Sequence, residues 1–291
     1  MKANVVNVKK VTAVAIAFLM MILSVVYANS KSEAANTTRK YFVFDAKTSE
    51  KIDDYTLNAL QSEDNSRSVI GDDERVIDWT KSGVVKLMNS TGYIGSGFVI
   101  GDHIIATAAH CAYNQKISEI LLFDNSGNIT MHATPVEYHV PLDYINNLTD
   151  QSQFKYENYD YALISVKEDL SAYACFNLGV PLDSFMNSNA NLTVTGFPGE
   201  FNTHTKHMMY SGNGKVCGGD NSLMYYNTDT SGGNSGGPVY ITESAYGETY
   251  YTVVAIHAYR PHGNHNKGNH GTRITTDLIN FYKTNKYILW E

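Results

Sequence analysis

The sequence has little cysteine and no excess of positive charge. Only Cys111, Cys175 and Cys217 occur among 291 residues, and no two of them lie close enough in sequence to indicate a cysteine-based metal site. Three cysteines allow at most one disulfide and leave one residue over. The formal net charge is −7, which argues against a nucleic acid as the partner.

Long apolar runs are also scarce, and the only one lies at residues 11–26. Lys9 and Lys10 precede it, and small or polar residues follow at positions 27–30. A basic start, an apolar core and a small-residue cleavage site are typical of a secretory signal peptide, which we assign to residues 1–28. The alternative is an uncleaved membrane anchor, because the run approaches spanning length.

Residues 29–67 are charged and polar, apart from the apolar patch at residues 41–44, and lack strong periodicity. We interpret this segment as a propeptide that ends at the basic cleavage point Arg67-Ser68. The alternative is a flexible N-terminal tail.

From residue 68 onward, short apolar or alternating runs recur between turn residues. They lie at residues 84–88, 96–100, 104–106, 120–123, 162–166, 192–196, 224–227, 239–242 and 252–257. Repeated runs of strand length predict an all-β sandwich or barrel. One helix is predicted at the end, over residues 277–285, where Leu278, Phe281 and Tyr282 share a face.

A glycine-rich stretch surrounds one serine in the sequence TSGGNSGGPV, residues 230–239. Glycine lets the backbone turn where a side chain would clash, so that N–H groups can point outward. This is what an acyl-transfer site requires: Ser235 would attack a carbonyl carbon, and the N–H groups of Gly233 and Ser235 would bind the oxyanion. Alone, such a stretch is more often simply a turn.

Two further stretches favour the catalytic interpretation. The sequence TAAHC places His110 among small residues, and DYALI places Asp160 at the mouth of a strand. A base, an orienting acid and a nucleophile therefore follow the order His110, Asp160, Ser235. This is the chain order of the chymotrypsin-type triad and differs from the orders of other serine hydrolases. Because Cys111 adjoins His110, we expect Cys175 and Cys217 to form the one disulfide; three free thiols are the alternative.

At this point the chain resembles the secreted glutamyl endopeptidases, a branch of the chymotrypsin-like serine proteases. The resemblance extends from residue 68 almost to the C-terminus. Its motifs are SVIGDDER (68–75), TAAHC (107–111), DYALI (160–164), TVTGFPG (193–199), TDTSGGNSGGPV (228–239), AIH (255–257) and GTRIT (271–275).

The resemblance implies one protease domain over residues 68–291, made of two antiparallel six-stranded β-barrels with a boundary near 169–183 and a C-terminal helix. His110 and Asp160 would come from the first barrel and Ser235 from the second. It also implies a secreted, monomeric enzyme that cleaves proteins or peptides, without a cofactor and without stable membrane association after processing.

Two interpretations of the specificity pocket remain open. Asp229 lies six residues before Ser235, where an acid would favour cleavage after Lys or Arg. The resemblance instead places Thr230, His257 and the new amino terminus at Ser68 in the pocket, where they would bind a Glu carboxylate. His257 is otherwise a core histidine. A same-fold protease of different preference and a non-catalytic binding module are the remaining alternatives.

The loop PHGNHNKGNHG, residues 261–271, contains His262, His265 and His270. Such a loop can bind a metal, but its spacing matches no closed structural site. We therefore expect a solvated loop at the rim of the substrate cleft, and no metal.

Overall fold

The computed structural model describes residues 37–46, 48, 50–59, 73–90, 92–149, 154–173, 176–263, 265 and 267–285. The predicted signal peptide, the cleavage point Arg67-Ser68 and Cys175 lie outside these residues. Within the described ranges, no helix is both long enough and apolar enough to cross a membrane.

Strands dominate the described chain. They are β1 (Thr37–Asp45), β2 (Lys51–Ala59), β3 (Val76–Ile77), β4 (Val84–Asn89), β5 (Gly92–Gly101), β6 (Ile104–Thr107), β7 (Ile117–Phe123), β8 (Ile129–Ala133), β9 (Pro135–Pro141), β10 (Ala162–Val166), β11 (Phe176–Leu178), β12 (Asn191–Gly196), β13 (Tyr210–Gly219), β14 (Leu223–Tyr226), β15 (Pro238–Ala245), β16 (Glu248–Tyr259) and β17 (Asn269–Arg273). The α-helices are α1 (Ala109–Ala112), α2 (Leu142–Asn147), α3 (Asp183–Met186) and α4 (Thr276–Asn285), and short 3-10 helices lie at Lys155–Tyr159, Ser171–Tyr173 and Gly199–Phe201.

The strands form two sheets. The first has the order β2-β1-β9-β10-β6-β5-β4-β7-β8, and the second has the order β11-β16-β15-β12-β13-β14-β17, with β3 paired to β13. In the second sheet β16 also pairs with β17, which closes a barrel of six strands, β12 to β17. The predicted all-β fold with a C-terminal helix is confirmed, although the first sheet has nine strands rather than six.

Two strands of the first sheet bring the candidate histidine and acid together. Every residue of β6 and β10 is buried, which explains why continuous apolar runs predicted them. The two strands are antiparallel, with Ala162 opposite Thr107. The chain therefore leaves β6 toward His110 at the same edge where it passes Asp160 and enters β10.

Two of the additional strands of the first sheet, β1 and β2, come from the segment interpreted as a propeptide. Strand β1 pairs with β2 and with β9. Tyr41 of β1 is fully buried; its hydroxyl lies 2.9 Å from that of Tyr161, and its ring stacks on Phe281 of α4 at 4.3 Å between centroids. The alternative of a flexible tail is wrong for the described part of this segment, because its apolar patch lies in the core. Its role as a propeptide stays a prediction.

The cysteines do not pair as the sequence analysis expected. Cys111 is a buried free thiol, and Cys217 is an exposed free thiol. The predicted Cys175–Cys217 disulfide is therefore wrong.

Candidate active site

His110 and Asp160 form a tightly hydrogen-bonded pair at the edge of the first sheet. His110 Nδ1 lies 2.6 Å from Asp160 Oδ2, and the backbone N–H of His110 donates to Asp160 Oδ1 at 2.9 Å. Asp160 is fully buried, whereas the His110 side chain is 31% exposed. Burial alone would lower the pKa of His110, but the charge of Asp160, with Cys111, raises that pKa well above its ordinary value.

Ser235 lies on the turn that leads into β15, and its glycines are sterically required. Gly236 has a φ of +84°, and a Cβ there would lie 2.1 Å from both Ser96 O and Thr107 Oγ1. At Gly237, a Cβ would lie 2.4 Å from Thr195 O. Only glycine therefore lets the turn pack this closely between the two sheets.

The Ser235 hydroxyl faces a backbone carbonyl in this conformation. Its Oγ donates to Ala258 O at 3.1 Å, and among the described residues it makes no hydrogen bond to His110. A change of the Ser235 rotamer is needed before its proton can pass to the imidazole.

Two backbone N–H groups beside Ser235 are available to bind an anion. Gly232 O accepts a hydrogen bond from Gly199 N at 2.6 Å. In a trans peptide the C=O and N–H point to opposite sides, so the N–H of Gly233 points away from Gly199. Within the described chain, neither Gly233 nor Ser235 donates a backbone hydrogen bond.

Ser96 fastens this turn to the first sheet, a role that the sequence analysis missed. Ser96 is fully buried. Its Oγ donates to Gly233 O at 2.8 Å and accepts from Phe197 N at 2.9 Å, and its N–H donates to Ser235 O at 2.8 Å. The signal available in the sequence was only a serine within an apolar strand, which does not identify a partner more than 130 residues away.

His257 is buried beside Tyr226, a residue that the sequence analysis did not identify. His257 Nδ1 lies 2.6 Å from the Tyr226 hydroxyl. Burial, together with His270 and His110, lowers the pKa of His257 to about 3, and burial raises the pKa of Tyr226 well above its ordinary value. Both side chains are therefore neutral near pH 7.

The tautomer of His257 follows from this pair. The phenol makes its one hydrogen bond within the described structure to His257, and a buried O–H without an acceptor is costly. The hydroxyl therefore donates to Nδ1, and His257 carries its proton on Nε2.

The residues around Asp229 contact the N-terminal segment. Asp229 Oδ2 accepts a hydrogen bond from Glu74 N at 3.1 Å. Arg75 donates to Ser231 Oγ at 3.2 Å and pairs with Asp73 and Glu200 at 2.9 and 2.6 Å, so that two carboxylates balance its charge.

Of the other predicted pocket residues, Thr230 is half-buried and lies next to Asp229 in the same loop. Ser68 lies outside the described residues.

The histidine-rich loop is not the solvated loop that the sequence predicted. His270 is fully buried, and the side chains of His262 and His265 are 29% and 13% exposed. All three imidazoles contact the buried carboxylate of Glu157, which the sequence analysis missed. Burial acts to raise the pKa of Glu157, but hydrogen bonds from His265 and His270 outweigh burial and lower it to about 2.

Known proteins resemble this chain in sequence and in fold. Residues 95–246 match the family described as "Trypsin-like peptidase domain". The "Extracellular metalloprotease" of Bacillus subtilis is 28% identical over 236 residues, which cover 73% of this chain and 68% of that protein. The "Glutamyl endopeptidase" of Bacillus licheniformis is 26% identical over 226 residues, which cover 73% of this chain and 67% of that protein.

A further relative and a solved structure agree with these matches. The "Glutamyl endopeptidase" of Staphylococcus epidermidis is 31% identical over 156 residues, 51% of each chain. The solved "Structure of Glu endopeptidase in complex with MPD" superposes with a TM-score of 0.58 at 21% identity, over 75% of this chain and 99% of that chain. The resemblance inferred from the sequence motifs is confirmed: the chain belongs to the trypsin-like peptidase family and is a chymotrypsin-fold serine endopeptidase similar to the glutamyl endopeptidases.

Proposed function

We propose that this protein is a secreted endopeptidase that hydrolyses peptide bonds after Glu, and less efficiently after Asp, through His110, Asp160 and Ser235. The observation that carries the catalytic part is the 2.6 Å contact between His110 Nδ1 and Asp160 Oδ2, at the edge where the Ser235 turn meets the first sheet. The names of the Bacillus licheniformis and Staphylococcus epidermidis relatives support the preference for Glu.

The chemistry begins with the proton of Ser235. Asp160 accepts a hydrogen bond from the Nδ1–H of His110, which leaves the lone pair of Nε2 as the base. When substrate binds, Ser235 Oγ turns from Ala258 O to His110, transfers its proton to Nε2 and bonds to the scissile carbonyl carbon. The imidazolium then protonates the leaving amine, and the C–N bond breaks to give an acyl-enzyme. Water, activated by the same imidazole, releases the acid product.

The transition state requires stabilisation of a developing oxyanion. The N–H groups of Gly233 and Ser235 are the proposed donors, because neither is used within the described structure. Ser96 holds the Gly233 carbonyl and thereby keeps the turn in place before substrate arrives. No cofactor takes part in the proposed peptide hydrolysis.

The pocket for the residue before the scissile bond contains Thr230 and His257. A carboxylate in a largely dry pocket needs hydrogen-bond donors. The Nε2–H of neutral His257, held in that tautomer by Tyr226, is one proposed donor, and the Thr230 hydroxyl is the other. Asp is one methylene shorter than Glu, so its carboxylate reaches these donors less well. The bond from Glu74 to Asp229 supports a pocket that does not present Asp229 to a basic residue.

Export and processing form a separate part of the proposal. Residues 1–28 act as a signal peptide, and cleavage at Arg67-Ser68 gives a mature, monomeric extracellular enzyme with no stable membrane association. The contacts of residues 74 and 75 with the loop around Asp229 support a link between the new amino terminus and the pocket. The secreted active protein should begin Ser-Val-Ile-Gly or Val-Ile-Gly by N-terminal sequencing. Full activity with residues 29–67 still attached by the peptide bond would contradict this part.

A serine-directed acylating reagent tests the catalytic proposal. It should label the wild type at Ser235 and abolish its peptidase activity. The control variant Ser244→Ala, which changes an exposed serine, should be labelled as well as the wild type. Ser235→Ala should lose labelling and at least about 10⁴-fold in kcat, with an unchanged unfolding midpoint. Failure of the wild type to react or to hydrolyse peptides would favour a non-catalytic binding module. Substantial turnover by Ser235→Ala would refute the nucleophile.

A further inference from the structure

We propose that Glu157, His262 and His270 bind a divalent metal ion, with the ligand preference of Zn²⁺, in a site beside the catalytic acid. Glu157 Oε1 lies 2.7 Å from His262 Nε2, and Glu157 Oε2 lies 3.1 Å from His270 Nε2. One ligand atom from each of the three residues lies within 4.8 Å of the other two. Metal binding at this site can be measured without the proposed peptide cleavage, and the proposal replaces the sequence expectation of a solvated loop without a metal.

The charge of Glu157 is the first argument. The carboxylate is fully buried, and its ion-pair partners within the described residues are all histidines. An imidazole supplies positive charge only when it is protonated, and a buried carboxylate without a matching cation is costly. A bound divalent ion would supply that charge directly.

The hydrogen bonds of His262 are the second argument. Its Nδ1 lies 2.8 Å from Arg260 O, and its Nε2 lies 2.7 Å from the Glu157 carboxylate. Both neighbours accept hydrogen bonds, but a neutral imidazole carries only one N–H. An imidazolium would donate to both acceptors. If the ring is neutral and Nδ1 donates to the carbonyl, the lone pair of Nε2 faces the carboxylate, and a cation bound by both atoms removes their repulsion. A histidine that donates its second N–H to a backbone carbonyl is also the usual arrangement in metal sites.

His270 gives the third argument. Its ring is fully buried, and its Nδ1 has no hydrogen-bond partner in the described structure. Its Nε2, 3.1 Å from Glu157 Oε2, is the ring nitrogen that faces the carboxylate, and it would bind the ion once the ring proton lies on Nδ1. His265 Nδ1, 3.1 Å from Glu157 Oε2, borders the fourth position.

The donor set and the spacing fit zinc. Imidazole nitrogens and a carboxylate oxygen are common ligands of Zn²⁺. Catalytic zinc sites have three protein ligands and leave the fourth coordination position open. Bond lengths of about 2.0–2.1 Å place the ligand atoms of a tetrahedral site about 3.3 Å apart. The observed separations are 2.7 Å from Oε1 to His262 and 3.1 Å from Oε2 to His270. They would have to widen by about 0.6 and about 0.2 Å to reach this spacing.

The ion would act on the triad as a positioning element. Glu157 lies in the 3-10 helix Lys155–Tyr159, directly before Asp160. Thr272 Oγ1 donates to the backbone carbonyls of both Glu157 and Asp160, at 3.2 and 3.1 Å. Fastening the 260–270 loop to Glu157 would therefore also restrain the backbone of Asp160.

Metal titration of the full-length protein tests this site. The Ser235→Ala background prevents self-cleavage and makes the result independent of the peptidase proposal. After chelation and dialysis, calorimetry should show one Zn²⁺ bound per chain, and Co²⁺ should give the visible absorption of a tetrahedral site. Zn²⁺ at about 100 times its Kd should raise the unfolding midpoint by roughly 5–10 °C.

Variants locate the ion. His262→Ala and His270→Ala should each weaken Zn²⁺ binding by at least about 100-fold, whereas His204→Ala, at an exposed histidine outside the cluster, should bind like the parent. If His270→Ala fails to fold, His262→Ala decides, because its side chain is partly exposed. Absence of stoichiometric binding, or binding that survives His262→Ala, would overturn the proposal; the first result would show that protons alone link the imidazoles to Glu157.

Discussion

Tyr226→Phe is the most specific perturbation of the proposed pocket. The substitution removes one hydroxyl, whose oxygen lies 2.6 Å from His257 Nδ1, and keeps the aromatic ring in the barrel core. Without this donor, the proton of His257 can occupy Nδ1, and Nε2 then presents a lone pair to the substrate carboxylate. A hydrogen bond to a charged group contributes about 1.5–3 kcal/mol. We therefore expect the ratio of kcat/KM for Glu over Gln peptides to fall by roughly 10- to 100-fold.

The assay compares two peptides that differ only in Glu or Gln before the scissile bond. Tyr240→Phe is the matched control, because it also removes a buried hydroxyl from the second barrel, one that contacts Thr195 and not His257. Both variants should lose a similar free energy of unfolding, but only Tyr226→Phe should change the Glu:Gln ratio. An unchanged ratio in Tyr226→Phe, with the stability loss present, would refute the tautomer argument.

Three further predictions follow from named contacts. Because the pKa of His257 in the folded protein is about 3, His257 stays neutral until the pH falls toward that value. The Glu:Gln ratio of kcat/KM should therefore be constant between about pH 5.5 and 8, where the substrate carboxylate is ionised. A decline of this ratio as the pH rises through about 6.5 would show that a protonated histidine binds the substrate. In the uncleaved chain, Tyr41→Ala removes a buried ring stacked on Phe281 and should lower the free energy of unfolding in urea by about 3–5 kcal/mol; a loss of less than about 1 kcal/mol would show that β1 contributes little to stability. Ser96→Ala leaves the carbonyl of Gly233 without its side-chain donor and should lower kcat by roughly 10- to 100-fold, with little change in KM. A rise in KM as large as the fall in kcat would contradict a role of Ser96 in positioning the turn.

The sequence predicted those features whose signals are local. Fully buried strands such as β6 and β10 appear as continuous apolar runs, and the glycines around Ser235 reflect a turn that a Cβ would block. The order of His110, Asp160 and Ser235 along the chain was also readable. These signals depend on neighbouring residues and need no knowledge of the tertiary pairing.

The remaining features depend on contacts between distant segments. Strand β1 is too polar and too weakly alternating to be distinguished from a tail until β9 provides its partner. Glu157 looks like an ordinary surface acid, because the histidines that enclose it lie more than 100 residues later. In the same way, nothing near Tyr226 or Ser96 in the sequence reveals that one fixes a tautomer and the other holds the carbonyl of Gly233.

The cleavage profile of the purified mature wild type tests the central claim most directly. The enzyme would digest a peptide mixture in which every amino-acid type occurs at the position before a potential scissile bond. Mass spectrometry would then identify the new C-terminal residues. The account predicts that Glu dominates, that Asp is second, and that a serine-directed reagent abolishes all cleavage. Preferential cleavage after Lys or Arg would show that Asp229 lines the pocket and would contradict the assignment.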